Sequence, residues 1–244
     1  MLLGGWVAGV FDMKRLLLFL SLVPFYTVSY AQSSIAERCL EELKPKMEFF
    51  YMYLGMSVEN IKIYTEECSA ACEVIDKYVP QLTDIDEKFD LLWAKVDLLS
   101  VLLEAYLKFG WESSKQEYIT QSNRMVSTLE NMERLASQIK EKSDWNLQMF
   151  NIKEALGEHY FQQKNYQKAK SYYSFCISIN NEIFSDKKQY ISEYLTESKL
   201  LKAGQRVCYW MGYSVYKLGD TASAQSYYNK AKNILNDELI QPYK

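Results

Sequence analysis

A single histidine stands among 244 residues, and only four prolines and nine glycines interrupt the chain. One histidine, His159, cannot supply a zinc or di-iron ligand set, so neither metal nor cofactor is expected and His159 reads as a polar-edge residue of a packed helix. The chain has no Gly-rich phosphate loop, no G-x-S-x-G turn and no H-E-x-x-H pair. It also lacks sustained alternation and Asn-Gly hairpins, which argues against a sheet. There is no basic stripe, and a net charge of −3 gives nucleic acid little to hold. Carboxylates such as Glu66-Glu67, Asp84 and Asp86-Glu87 read as a solvated helix face rather than a catalytic pair. What is abundant is Leu, Lys, Glu, Gln and Ala, a helical composition, together with twenty tyrosines.

Long apolar runs are scarce too. The one near the N-terminus, "MKRLLLFLSLVPFYTVSYAQ" from Met13, reads as an export signal. Lys14 and Arg15 supply its basic start, Leu16–Val23 its apolar core, and Ser29-Tyr30-Ala31 places small residues before a cut at Gln32. The core is shorter than the ~20 residues that span a bilayer. Met13 is the better start, with Met1–Asp12 upstream of it; an uncleaved membrane anchor is the alternative. Cleavage leaves 244 − 31 = 213 residues with net charge 26 − 30 = −4 and nothing to hold a membrane. The expected location is periplasmic or secreted.

The remainder keeps to one ruler. "QQKNYQKAKSYY" at Gln162–Tyr173 and "KLGDTASAQSYY" at Lys217–Tyr228 superpose with an offset of 224 − 169 = 55. Turn-forming Gly55, Gly110, Asn165 and Asp220 follow the same spacing. So do the aromatics four residues before each turn: Tyr51, Tyr106, Phe161 and Tyr216. Ile85, Phe89, Leu92, Val96, Leu99, Leu103 and Tyr106 step by three and four, as a buried helix stripe does. Tyr118, Met125, Leu129, Met132, Ala136 and Ile139 form another. The reading is all-α, with helices at 35–54, 57–78, 84–109, 112–141, 145–163, 166–184, 188–218 and 221–238. These make about four stacked antiparallel hairpins: two degenerate ones in 32–141 and two regular ones in 142–244, after an N-terminal extension and signal in 1–31.

Leu156-Gly157, Tyr160, Tyr166, Ala169, Tyr173 and Cys176 are spaced as in the tetratricopeptide repeat, which the chain resembles. Met211-Gly212, Val215, Ala224, Tyr228 and Ala231 repeat the pattern. Gly157 with Ala169, and Gly212 with Ala224, stand where two helices cross closely; Tyr160, Tyr173 and Tyr228 fill the space around the crossings. The family repeats every ~34 residues, against 55 here, and Glu59 and Ser114 replace the crossing alanine in the first two units. The resemblance implies an α-solenoid that binds proteins and performs no catalysis.

Five cysteines remain. Cys39 and Cys72 lie at similar distances from the first turn, so a Cys39–Cys72 disulfide is expected, with Cys39–Cys68 second and buried free thiols as the alternative. The tyrosines suit an extended groove that accepts a protein or peptide. Asn165, Lys168, Tyr172, Tyr213 and Tyr227 are the candidate contact residues. Two other readings stand behind this one: the extracytoplasmic part of a signalling system, and an enzyme with a carboxylate on the helical scaffold.

Overall fold

The computed structural model describes residues 34–52, 61–109, 115–191 and 195–235. The N-terminal segment 1–31, where an export signal is expected, and the positions Gly55, Glu59, Gly110 and Ser114 lie outside them. The described residues are all-α. Eight α-helices follow in order: α1 Ile35–Met52, α2 Ile61–Tyr78, α3 Ile85–Phe109, α4 Lys115–Ala136, α5 Lys142–Gln162, α6 Tyr166–Ser185, α7 Glu197–Lys217 and α8 Thr221–Leu235. Short 3₁₀ turns at Val79–Gln81 and Lys187–Gln189 join α2 to α3 and α6 to α7. The chain divides into two compact units, Met1–Thr128 and Leu129–Lys244, and the division falls inside α4.

In the first unit, α1 opens with a capping box. The Glu37 amide donates to Ser34 Oγ at 3.1 Å, and the Ser34 amide donates to Glu37 Oε2 at 2.6 Å. Glu42 ties α1 to α2 by accepting from Lys77 Nζ at 2.8 Å and Tyr78 Oη at 2.5 Å. Pro80 breaks α2 into its 3₁₀ turn. Asp84 restarts the chain by accepting from the Asp86 and Glu87 amides at 2.8 and 3.0 Å. Helix α3 is the inner helix that its sequence requires. Phe89, Leu92, Val96, Leu99, Leu103 and Tyr106 are buried, and so are Leu91, Leu98 and Leu102 on its other faces. Thr65 and Tyr106 share a hydrogen bond at 2.7 Å that ties α3 to α2, and Gln121 of α4 donates to Ser69 of α2 at 3.4 Å.

The second unit obeys the ruler. Helices α5 and α7 each span 21 residues, and 197 − 142 = 217 − 162 = 55. Asn165 and Asp220 prove to be helix N-caps rather than turn tips: Asn165 Oδ1 accepts from the Lys168 amide at 3.3 Å, and Asp220 Oδ1 from the Ser223 amide at 3.0 Å. The residues that reverse the chain stand just before them, Lys164 at φ 60° and Gly219 at φ 91°. Glycine adopts that backbone freely and lysine does not. Each helix packs on the next, and α5 also touches α7. Helix α7 begins at Glu197 and not near 188, because Thr196 caps it. The preceding segment instead buries Tyr190, whose hydroxyl accepts from Asn146 Nδ2 at 2.8 Å.

Candidate functional site

The crossing of α5 and α6 leaves no room for a side chain at Gly157. A Cβ there would lie 2.7 Å from Cε1 of Tyr173, a ring that is itself fully buried. Ala169 and Ala224 are buried completely, and Gly212 is buried between them in the repeat pattern. A further close approach was not legible in the ruler: a Cβ on Gly204 would come 2.7 Å from Asn180 Nδ2 and 3.2 Å from Phe184. The position 55 residues earlier is Met149, so no repeat signal marks it. Tyr173 fills its space as expected, although its hydroxyl is buried with no hydrogen-bond partner. Burial raises its pKa well above the usual tyrosine range. Tyr160 and Tyr228 do not share that burial; both are half-exposed. Tyr173 lies on a helix packed between two others, whereas Tyr228 lies on α8, which no described helix follows.

Tyr160 belongs instead to a surface stack. Its ring lies parallel to that of Tyr172, with centroids 5.6 Å apart and planes at 4°. Lys168 covers Tyr160, its Nζ 4.5 Å from the ring centre and 3.4 Å from the hydroxyl. Lys153 lies 5.4 Å from the ring centres of both Tyr172 and Phe175 while pairing with Glu133 at 2.6 Å. Each ammonium sits over the electron-rich face of a ring, where it is attracted.

A second group spans α5, α6 and α7. Phe161 lies 4.9 Å from Trp210, 5.1 Å from Tyr213 and 5.3 Å from Tyr166, centroid to centroid. Trp210 packs edge-on to Tyr209 and stacks with Tyr213. Lys217 covers Tyr213 at 5.1 Å and Tyr216 at 5.9 Å. All these rings are half-exposed. They thus keep apolar area and polar tips at the surface, as a contact face requires. Arg206 ties α7 to α5 with a two-pronged pair to Glu154, at 2.6 and 2.7 Å.

Of the expected contact residues, the structure gathers Lys168 and Tyr172 in the first group and Tyr213 in the second. Tyr227 is half-exposed on α8 and joins neither group. Asn165 is exposed, but its side chain is spent on capping α6. Phe161, Tyr166 and Lys217 were not among the expected contact residues. Their signal was the clustering of aromatics toward the ends of α5 and α7.

His159 is not at a polar edge. It is 2 % exposed, and burial lowers its pKa to about 4. The Gln163 amide nitrogen lies 3.0 Å from its Nε2. A carboxamide NH₂ only donates, so the ring accepts there and is neutral. The cysteines also depart from expectation. All five are buried free thiols, and the Cys39–Cys72 bridge is not formed. The reason is direction. Cys68 donates to the Leu98 carbonyl of α3 at 3.6 Å, and Cys72 lies within the electrostatic reach of Arg124 and Lys95 on α4 and α3. Cys39, on α1, lies instead within the electrostatic reach of Glu42 and Lys77. The Glu42–Lys77 pair sets that register: 42 + 77 = 119, which places Cys39 opposite residue 80, about two turns beyond Cys72.

No family model matches the chain, and no curated protein matches it. Among solved structures, the chain of a "DHF58 filament" is similar at a TM-score of 0.50 and 11 % identity, covering 83 % of this chain and 94 % of that one. BtubC (BKLC) from P. vanneervenii aligns at a TM-score of 0.31 and 14 % identity, covering 87 % of this chain and 96 % of that one. The first is a likeness of helical fold alone.

Proposed function

We propose that the chain is an exported, non-catalytic scaffold built of tetratricopeptide-like helical hairpins, and that it binds a protein or peptide partner on the ring-and-lysine face of α5, α6 and α7. The observation that carries the reading is the pair of half-exposed aromatic groups, each covered by lysine. The 55-residue identity of α5–α6 with α7–α8, and the glycine–alanine crossing within the first pair, support the repeat. Rigid rings on a helical frame lose little freedom when a partner covers them, and the lysines add direction and register to a contact that the rings make strong.

The test uses the chain from Gln32 with a photo-crosslinking phenylalanine analogue at Tyr213 or at Tyr172, and a control at Lys62, which is exposed on the other unit. The expected result is a discrete partner adduct from Tyr213 and Tyr172 and none from Lys62. The double change Trp210→Ala and Tyr172→Ala, in a chain with unaltered circular dichroism, abolishes recovery of that partner. Equal adducts at all three positions, or full recovery by the folded double variant, would remove the face from consideration.

A further inference from the structure

The ring face of the second unit is also a face of unanswered positive charge. The chain as a whole carries −3, yet from Gln162 to Leu235 it has 11 Lys and Arg against 5 Asp and Glu, a net of 11 − 5 = +6. No carboxylate interrupts residues 159–181 or 198–219. Those two stretches supply Tyr160 to Phe175 on α5 and α6, and Tyr209 to Lys217 on α7. Four other cations of the unit are matched: Lys142 by Glu182, Lys153 by Glu133, Lys187 by Glu197 and Arg206 by Glu154. Lys168 and Lys217 are exposed, and their contacts among the described residues are with Tyr160, and with Tyr213 and Tyr216, not with a carboxylate. The acid that follows Lys217 in the chain, Asp220, caps α8 and lies within the electrostatic reach of Lys170.

The chemistry at these lysines is that of a donor surface. An ammonium carries three donors and no acceptor, and lying over a ring does not use them up. Lys168 Nζ donates to Tyr160 Oη at 3.4 Å, which leaves the tyrosine's own proton for an acceptor outside. The ring faces are already engaged: Tyr160 by Tyr172 and Lys168, Tyr213 by Trp210 and Lys217. A nucleobase needs an open ring face to stack on. What these groups offer instead is apolar ring edge beside N–H and O–H donors at positive potential. Its complement is a chain that sets carboxylates beside apolar side chains.

Resting on the partner-binding reading above, we propose that the partner presents an acidic segment to this face. Its side-chain carboxylates pair with Lys168 and Lys217, and the apolar residues beside them cover Tyr160, Tyr172, Trp210 and Tyr213. Each lysine is held on its ring before the partner arrives, so pairing orders less side chain than it would between two free ends. Covering the rings removes water from around both pairs, and a charge pair is stronger where water is excluded. An exposed pair alone contributes little. The rings therefore supply affinity, and the two lysines choose the sign of the partner: an acidic segment is drawn in, and a basic one is turned away.

The probe is a library of random dodecapeptides, each fused through its C-terminus to a display protein and selected on the immobilised full chain. No terminal carboxylate is offered, so side-chain carboxylates alone are read. The retained peptides should be rich in Asp and Glu beside large apolar residues. Raising salt from ~0.1 to ~1 M shortens the screening length from ~10 to ~3 Å and should weaken the best peptide ~10-fold. Lys168→Glu with Lys217→Glu should weaken it by at least ~10-fold and, on renewed selection, retain basic peptides instead. Lys168→Arg with Lys217→Arg should keep the acidic preference. Lys44→Glu with Lys115→Glu, exposed on the first unit, should change neither affinity nor preference. Peptides that are lost with Trp210→Ala and Tyr172→Ala, but are neither acidic nor sensitive to the lysine reversal, would overturn the acidic partner and leave the face standing. Peptides indifferent to the ring changes, or no retained peptide, would remove the face and this inference with it. An equal loss on reversing Lys44 and Lys115 would reduce the preference to general charge attraction and overturn the proposal as well.

Discussion

Neutral burial of the one histidine makes a quantitative claim about acid. His159 binds its proton in the unfolded chain at an ordinary value near 6.5 and in the folded chain only at about 4, because burial disfavours the cation. Between those values the unfolded state holds more protons, so stability rises with pH across the window. Stability is full above pH 6.5, declines as pH falls toward 4, and changes no further below that on this group's account. The window is 6.5 − 4 = 2.5 units wide. At ~1.36 kcal/mol per unit it amounts to about 3 kcal/mol, a large share of a typical folding free energy. Protonation would also set a ring N–H against the Gln163 amide 3.0 Å away, donor to donor. Urea unfolding of the untagged chain and of His159→Gln, compared at several pH values from 7.5 to 4.5, separates this group from the carboxylates that titrate in both. The wild type should lose stability more steeply than the variant, by ~1.4 kcal/mol per unit below pH 6.5. With only one histidine in the sequence, the imidazole signals in a proton NMR spectrum report it without ambiguity. Parallel stability curves, or an imidazole that titrates near 6.5 in the folded chain, would refute the reasoning.

Three further outcomes are expected. Gly157→Ala gains ~1 kcal/mol of helix propensity but drives a methyl to 2.7 Å from a buried ring. Overpacking of ~1–3 kcal/mol should leave a net loss in denaturant unfolding, and a stabilised variant would contradict the close crossing. Tyr173→Phe removes a buried hydroxyl that has no hydrogen-bond partner, so unfolding should show no loss and a gain of up to ~1 kcal/mol; a loss above that size would mean that the hydroxyl is satisfied. Export with cleavage predicts that N-terminal sequencing of the secreted chain begins at Gln32, and an N-terminus at Met1 or Met13 would remove the signal reading.

The helices were legible because their cause is local. The stripe from Phe89 to Tyr106 is a three–four pattern that admits no other structure, and all six of its residues, the two ends included, are buried. The repeat was legible in the second unit because close crossings accept few residues, so Gly157, Ala169 and Ala224 announce themselves. What escaped was set by direction rather than by spacing. Cys39 and Cys72 match in distance from a turn, but which face of α2 a thiol occupies depends on α3 and α4. Tyr160 and Tyr173 look alike in a repeat pattern, and one is a surface ring while the other is core. The start of α7 escaped because a 3₁₀ turn and the burial of Tyr190 occupy residues that helical propensity alone would have joined to the helix.

The same ruler argues that the second ring group is not a by-product of packing. Positions that the crossings require recur after 55 residues: Ala169 as Ala224, Tyr173 as Tyr228, Gly157 as Gly212. Of the rings of the second group, only Phe161 recurs, as Tyr216. Tyr209, Trp210 and Tyr213 correspond to Glu154, Ala155 and Glu158, and Tyr166 corresponds to Thr221. Helix α5 thus packs through the same positions as α7 while carrying charge and a small residue where α7 carries aromatics. The fold does not need those rings. Half-exposed, they leave apolar area in water that burial elsewhere would recover at ~25 cal/mol per Å², and their placement against Phe161 from the preceding repeat gathers them into one surface. Exchanging Tyr209, Trp210 and Tyr213 for the residues at their α5 equivalents should therefore leave unfolding little changed and abolish crosslinking at Tyr172. A collapse of stability in that triple variant would make the rings core and the partner face an illusion.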